Sequence, residues 1–475
     1  MTAELARVGG PLACLGLVLL YLAPRRDLRG LGLAAWALGC LFLALYLEPH
    51  GHRPALAVAA VLGLAAAAAG AAILLRRPWL VTLGALACAP ARIPVHVGST
   101  QANLLLPLYG VVAAAALALG WQLARGDQRV RELGALALPL AVFVGWTGLS
   151  LSWSDDLRQG AIELLFYVLP FALLAVAVAR LAPSPRWLRV LYVQLALMAL
   201  AFAAIGVYQW ATRDIFWNPK VIVGNAYAPF YRVNSVFYDP SIYGRFLVCA
   251  IVASLVLVLA RPAPRLALAL VVGIAITWVG LLFSFSQSSF AALIVAVLAV
   301  AALAWRWRAA AVLGLVAAVL LSVGFSVPKV RSTLVRHSSA GLNKATSDRS
   351  SLVGNGVRIA LHHPVIGVGV GGFKRAYADR LHLRGREPQS AASHNTPVTV
   401  AAETGLPGLA LLVWLVVAAL LATLGRGLGT ASRIVGLVLI AIVVHSLFYN
   451  AFFEDPIVWV LFGLAALLLP TRRLS

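Results

Sequence analysis

Long apolar runs recur from one end of this 475-residue chain to the other, and they limit what it can fold into. Each run of about 20 residues is long enough to cross a hydrocarbon core of about 30 Å as a helix. With 62% hydrophobic and only 11% charged residues, the chain lacks the polar side chains that cover a soluble protein of this size. The sequence therefore predicts an all-α, polytopic bundle of transmembrane helices without a detachable soluble domain.

The distribution of arginine predicts the orientation of these apolar segments, of which we count about fifteen. Their approximate limits are 8–23, 30–48, 55–75, 79–95, 103–124, 133–152, 159–180, 187–211, 241–260, 266–284, 288–305, 309–326, 396–423, 433–452 and 456–471. Alternate connections each hold two or three arginines, whereas the short connections between them hold only Arg53, Arg92 and Arg158. Because bacterial cytoplasmic loops are enriched in Lys and Arg, we expect the N-terminus outside and the C-terminus in the cytoplasm.

Two long connections separate three groups of spans, and both are expected on the extracytoplasmic side. They are the loop 212–240 and the basic loop 327–395, which divide the spans into segments 1–211, 241–326 and 396–475. The basic loop carries eleven Lys and Arg against three acids, and all nine histidines fall in outer loops or the outer half of a late span. Such a loop suits an anionic substrate or anionic headgroups, although a solvated basic loop is the alternative.

The glycine pattern of residues 362–373, HHPVIGVGVGGF, fits G-x-G-x-x-G at Gly367, Gly369 and Gly372. It lies in the outer basic loop, with no surrounding strand–helix–strand pattern and no acid about 20 residues later for a ribose. A dinucleotide site is therefore rejected. The close histidine pairs, His50 with His52 and His362 with His363, have no further ligand at metal spacing, so no metal site is expected. The four cysteines, in apolar runs, are interpreted as packing residues.

The residues after the glycines predict a short amphipathic helix, because Phe373, Tyr377 and Leu381 form one apolar stripe. We expect this helix to lie on the membrane or to cap a cavity. A polar entry then leads into a helix that carries Glu403 and is interrupted by a Gly-x-x-Gly break from Gly405.

Four stretches together resemble the O-antigen ligase and O-antigen polymerase superfamily. They are RSSLVGNGVRIALHHPVIGVGVGGF, followed by HN and ETGLPG, and the separate stretch RVNSVFYDPSIYGRFL. The resemblance covers roughly residues 225–460, while the first 200 residues match only as generic spans. One position departs from the family: SFSQSSF has Gln287 where those proteins often carry an arginine. A count of fifteen spans also exceeds the family's usual dozen.

This resemblance implies a GT-C-like membrane glycosyltransferase of the bacterial cytoplasmic membrane that builds envelope polysaccharide. It would transfer a glycan from an undecaprenyl-diphosphate carrier to a glycan, lipid or protein acceptor hydroxyl on the outer face, without nucleotide, metal or other cofactor. Nucleic acid is not an expected partner. His394 matches the family's HN and is the candidate general base, with Asn395 orienting its ring or capping the next helix; a plain loop histidine is the alternative.

The leaving diphosphate calls for arginines, which bind phosphate oxygens through two parallel hydrogen bonds. Arg232 and Arg349 match arginines of the two outer loops in the family and are the first candidates, followed by Arg245 and Arg358. Arg245 lies one turn into a span, where it either has a function or snorkels to the interface. Three further polar groups, Glu403, His445 and Asp455, are expected either to orient the site or only to satisfy one another. Asp239 is expected to pair with Arg245, to hold Arg232, or to be a turn residue.

Two other classes of function compete with the enzyme. A transporter or flippase of lipid-linked sugars needs charged residues along a path through the membrane, whereas here the polar residues gather at one face. A structural membrane protein leaves the basic loop and its motifs unexplained. Within the enzyme class, ligase and repeat-unit polymerase, the sugar and the stereochemistry of transfer stay open.

Overall fold

The computed structural model describes residues 2–47, 53–97, 100–127, 129, 132–216, 218–227, 230–326, 349–382, 393–425 and 427–469, which excludes His50 and His52. The first half contains α1 (Thr2–Leu22), α2 (Arg26–Leu47), α3 (Arg53–Arg76), α4 (Leu80–Cys88), β1 (Ile93–Val97), β2 (Thr100–Leu104), α5 (Leu106–Ala124), α6 (Ala137–Ser150), α7 (Leu157–Glu163), α8 (Leu169–Ala179), α9 (Pro185–Thr212) and α10 (Pro219–Tyr227). The second half contains α11 (Pro240–Leu259), α12 (Pro264–Ser284), α13 (Gln287–Ser326), α14 (Arg349–His362), α15 (Phe373–Arg380), α16 (Thr396–Leu424), α17 (Thr430–Ser446) and α18 (Pro456–Leu467).

The predicted all-α membrane architecture is confirmed. Ten helical segments within the described residues are long and apolar enough to cross a membrane. The β1–β2 hairpin is antiparallel, with Ile93 paired to Leu104, and it forms the single sheet of the described chain.

The predicted span 79–95 is wrong as one continuous helix. Its helix α4 ends at Cys88, two residues before Pro90, because proline cannot continue the hydrogen-bond ladder. The chain then becomes extended and enters β1. Thr82 lines a cavity with Leu464 near the end of α18, while Arg92 pairs with Glu454 just before α18 begins. The segment 80–92 therefore runs beside the whole of α18, although only part of it is helical.

The separate spans 288–305 and 309–326 are also corrected, because the structure joins them in the single helix α13. The expected break was the arginine-rich sequence Trp-Arg-Trp-Arg at 305–308. No glycine or proline occurs there, and three alanines follow directly. These residues favour helix continuation, and their charge does not stop it.

The middle of the bundle is formed by α8 and α11, whose residues are buried along most of their lengths. At the periphery, α1 and α2 approach closely through glycines. A Cβ added to Gly16 would lie 2.4 Å from the carbonyl oxygen of Gly32, a contact that only small residues permit. Because α11 is central, the residues at its start, 239–245, lie where the other outer loops meet.

A network of ion pairs occupies the end of the bundle predicted to be cytoplasmic. The buried guanidinium of Arg29 donates to both carboxylate oxygens of Glu132 at 2.8 Å. Arg180 also donates to Glu132 and bonds to Asp127 at 2.8 Å. The network ties the start of α2, the end of α8 and the connection after α5 together.

Candidate active site

Three helices begin at one end of the bundle with a polar cap and a proline. Asp239, Asn395 and Asp455 precede α11, α16 and α18, and each side chain accepts a hydrogen bond from a backbone N–H of the first turn. Such caps satisfy donors that the helix leaves free, and proline is pre-organised for the first turn. The Nδ2 of Asn395 also donates to the carbonyl oxygen of Leu447 at 2.9 Å. The capping role expected for Asn395 is thus observed, and Asn395 fastens His394 to the loop between α17 and α18.

His394 has a left-handed backbone conformation, with φ of 60°, immediately before this cap. Its half-buried ring faces Tyr449, at 6.4 Å between ring centroids, and Tyr449 in turn faces His445 at 5.6 Å. Desolvation raises the pKa of Tyr449 well above its usual value, and the nearby carboxylate of Asp239 adds to the effect. The tyrosine therefore keeps its hydroxyl proton at neutral pH and can donate a hydrogen bond beside His394.

A serine-rich turn between α12 and α13 meets the same cluster. His445 is fully buried, and its Nε2 lies 3.0 Å from the hydroxyl of Ser288 and 3.2 Å from the carbonyl oxygen of Ser241. Arg232 is half-buried and donates from Nε to the carbonyl oxygen of Ser284 at 3.2 Å. Arg232 thus lies beside the turn that contains Gln287, which is exposed at the start of α13 and departs from the arginine expected from the family resemblance.

Arg245 is neither exposed nor snorkelling, but buried and ion-paired. Its guanidinium lies 2.6 Å from the carboxylate of Asp455, and the two side chains are 3% and 6% exposed. The prediction that Arg245 pairs with Asp239 is therefore wrong. Asp239 caps α11, and Asp455 forms the ion pair with Arg245. Arg245 also donates to the carbonyl oxygen of Ala451 at 3.4 Å, which supports the loop that carries Tyr449.

The two remaining arginine candidates are on α14. Arg349 is the first residue of that helix, and its side chain lies outside the described atoms. Arg358 is exposed and lines another pocket, together with His362, His363, Asp379 and further polar side chains. The structure therefore does not place Arg358 in the cluster around His394.

The glycine stretch packs the outer loop tightly against the bundle. Gly367, Gly369 and Gly371 have φ values of 66°, 81° and 76°, which disfavour other residues. A Cβ on Gly369 would lie 2.2 Å from the Cα of Ser154, and one on Gly371 would lie 2.2 Å from the backbone nitrogen of Gly160. The stretch is therefore a packing motif, and the predicted amphipathic helix follows it as α15.

This stretch also compensates for a break in α16. Gly405 has non-helical angles, with φ of 73°, so the helix is interrupted where the Gly-x-x-Gly break was predicted. The N–H of Val368 and that of Gly369 donate to the carbonyl oxygens of Ala402 and Glu403 at 2.9 and 2.8 Å. A broken helix inside a membrane protein is tolerated where neighbouring groups satisfy the freed backbone in this way.

Two groups near the site were missed in the sequence. Tyr449 lies in an aromatic-rich connection that offers no local signal of its role. Glu163 could have been identified from the sequence, because it is an acid inside the apolar run AIELLFYVL. An acid in a membrane span is costly and usually functional. Together with Glu403, Glu163 lines a cavity next to the cluster.

Comparison with known proteins gives one family. Residues 268–413 match the family model described as O-Antigen ligase. The match runs from α12 into α16 and includes Gln287, Arg349, His394, Asn395 and Glu403, whereas Arg232 and Arg245 precede it. No curated protein matches the chain significantly.

Proposed function

Since residues 268–413 carry an O-antigen ligase domain, which confirms the resemblance to the O-antigen ligase and polymerase superfamily, we propose that this chain is a membrane glycosyltransferase. It transfers a glycan from an undecaprenyl-diphosphate donor to an acceptor hydroxyl at the extracytoplasmic end of the bundle. The observation that carries this proposal is the position of His394, in a left-handed conformation at the junction of loop and membrane helix, beside Tyr449.

His394 is the proposed general base. A non-glycine residue in the left-handed region costs about 1–3 kcal/mol, and such strain clusters at functional sites where the surroundings enforce it. Asn395 enforces it here, because its side chain is bound both to the first turn of α16 and to Leu447. Imidazole titrates near neutral pH, so His394 can take the proton of the acceptor hydroxyl as that oxygen attacks the sugar.

Arg232 and Arg349 are the proposed ligands of the leaving diphosphate. Arg232 is the better placed of the described arginines, because it lies beside the serine turn at the start of α13. In this chain it would take the role of the arginine that Gln287 replaces. Arg245 is assigned a positioning role instead, since its charge is already balanced by Asp455.

Ligase and polymerase reactions share these steps and differ in the acceptor. A ligase attaches the glycan to a lipid or protein, whereas a polymerase extends another carrier-linked repeat unit. Incubation of the purified protein with labelled donor and each acceptor class in turn separates the two reactions, and the anomeric configuration of the product shows whether transfer inverts or retains.

The role of His394 is tested with three variants in this assay. Asparagine and glycine accept the left-handed conformation far better than alanine, so His394→Asn and His394→Gly preserve the junction while removing the imidazole. We expect both to melt like the wild type and to lose about 100- to 10,000-fold in transfer rate. His394→Ala should lose the same activity and some stability. Near wild-type transfer by His394→Asn would show that the conformation matters and the base does not.

A further inference from the structure

The cavity adjoining the His394 cluster has no part in the proposed reaction. It lies between α6, α7, α16 and the loop before α18. Its wall includes two carboxylates, Glu163 at the end of α7 and Glu403 in α16, both within segments apolar enough to span a membrane. Thr396, at the start of α16, and Asn450, next to Tyr449, line it as well.

Each of the two carboxylates lies within two residues before an interruption of its helix. Glu163 is followed by a π-helical turn at Leu164–Val168, and Glu403 by the break at Gly405. Single π turns inside helices occur frequently at functional sites. Interrupted membrane helices are used elsewhere to bind ions, because the carboxyl end of a half-helix carries negative partial charge that favours a cation. Glu403 lies at such an end.

The charges of this cavity are not balanced by protein cations in the described chain. Glu163 accepts from Nε2 of Gln159 at 3.1 Å, and Glu403 accepts from the backbone of Phe373 at 3.4 Å, but neither forms an ion pair there. A third acid on the wall, Glu454, is compensated by Arg92 at 3.1 Å. Two carboxyl groups thus face the cavity without a positive partner among the described residues, so their ionised forms are costly there unless a cation enters.

A hydroxyl gives an independent sign of a ligand. Thr396 is only 2% exposed, and its Oγ1 has no hydrogen-bond partner among the described residues. The neighbouring wall residue Thr399 differs, because its hydroxyl bonds to Ser393 at 2.9 Å. A buried polar atom without a partner is rare and calls for an unseen water or ion.

We propose that this cavity binds one hard, oxygen-ligated cation, held by the carboxylates of Glu163 and Glu403 and the hydroxyl of Thr396. Carboxylate, hydroxyl and amide oxygens are the ligands that Ca²⁺ and Mg²⁺ prefer, and two carboxyl groups that lose their protons on binding would balance the charge of a divalent ion. No group of three or more His, Cys, Asp or Glu in the described segments is placed to hold a metal, so neutral oxygens such as that of Asn450 complete the shell. This ion would join α7 to α16 and would not touch the diphosphate, in contrast to the metal-free protein that the sequence led us to expect.

The test measures ion binding directly and needs no glycan. The full-length protein, purified in detergent and dialysed against EDTA, is melted with added Ca²⁺, Mg²⁺ or Na⁺ at constant ionic strength and pH. We expect a divalent ion to raise the Tm of the wild type. Glu163→Gln, Glu403→Gln and Thr396→Val should each weaken the apparent affinity about 10-fold or more. The matched control Asp155→Asn removes an exposed carboxylate outside this cavity and should respond like the wild type.

Several outcomes would overturn the proposal. An equal Tm shift in the three cavity variants would place the ion elsewhere. A wild type that responds to no cation, and is stabilised only on acidification, would show that protons neutralise the pair. If a glutamine variant does not fold, hydrogen exchange of the wild type replaces it: residues 159–168 and 396–405 should exchange more slowly with the ion, and unchanged exchange there would contradict the site. Glycan transfer is not measured, so the proposed function can fail without affecting this result.

Discussion

At the scale of single residues, the buried pair of Arg245 and Asp455 allows a prediction about stability. Removing one partner of a buried ion pair leaves a charge without compensation and costs about 3–5 kcal/mol. We therefore expect Arg245→Met to lower the free energy of unfolding by that amount. Asp455→Asn removes the opposing charge and keeps a good helix cap, so the double variant should recover much of the loss. Denaturant unfolding measures the free energy of unfolding of each variant. An Arg245→Met protein that is stable but inactive would instead assign Arg245 to the binding of the diphosphate.

Arg232 allows a second prediction at this scale, about activity. Its replacement by alanine should remove most glycan transfer, and lysine should restore only part, because an ammonium group cannot make the planar two-bond contact of guanidinium with phosphate. Arg358→Ala is the matched control, since Arg358 lies in the other pocket and should keep most activity. Transfer rates at saturating donor check the expectation. Equal losses in both variants would mean that the two outer loops act through their overall charge.

The sequence predicted some of these residues for physical reasons that are local. His394 and Asn395 stand where a polar entry meets an apolar run, so a cap and a histidine at the membrane surface could be expected. The partner of Arg245 could not, because Asp455 follows it by 210 residues and Asp239 is the nearer acid in the chain. The pairing depends on how α11 packs against the loop before α18, which no local pattern contains.

At the scale of elements, the docking of the glycine stretch onto the broken helix α16 predicts which glycines are replaceable. Gly369→Ala would place a methyl group 2.2 Å from the Cα of Ser154 in a backbone with φ of 81°. Backbone cannot yield as a side chain does, so we expect a Tm loss among the largest for single substitutions, together with loss of transfer. Gly273→Ala is the control, because a Cβ there meets nothing within 4 Å. A wild-type Tm for Gly369→Ala would show that the stretch is not held as described.

The ends of helices were predictable where a cap, a proline or a glycine marks them. They were not predictable where arginines alone suggested an end. The caps before α11, α16 and α18 and the break at Gly405 follow from Asp-Pro, Asn-Thr-Pro and Gly-x-x-Gly patterns. The arginines at 305–308 suggested a loop, but they are good helix formers and α13 continues through them. Conversely, α4 is shorter than its apolar run, because Pro90 terminates the helix before the run ends.

At the scale of the whole molecule, the two ends of the bundle differ in their use of charge. The end with the α11 start holds histidines, serines and the cavity, whereas the opposite end holds the ion pairs of Arg29, Glu132, Arg180 and Asp127. A hydrogen bond from Arg129 lowers the pKa of Asp127 to about 2. Since that pKa is below the unfolded value, Asp127 stabilises the fold above pH 4 or so and loses this effect only as pH falls toward 2. The ion pairs at the end with Asp127 therefore contribute to the stability of the fold.

The orientation of these two ends gives the last prediction. A helix of 40 residues is about 60 Å long, roughly twice the hydrocarbon core, so α13 passes well beyond the membrane from its start at Gln287. If the end of the bundle at which α11 begins is outside, Arg308 and the C-terminus are expected in the cytoplasm. GFP, which fluoresces there, should therefore be fluorescent when it is fused after either position. Arg349 and His394 belong to the outer end in this orientation, so phosphatase fused after residue 345, close to Arg349 in the sequence, should be active. Fluorescent GFP at 345, or active phosphatase at the C-terminus, would reverse the orientation and place the His394 cluster in the cytoplasm, where the proposed transfer cannot occur.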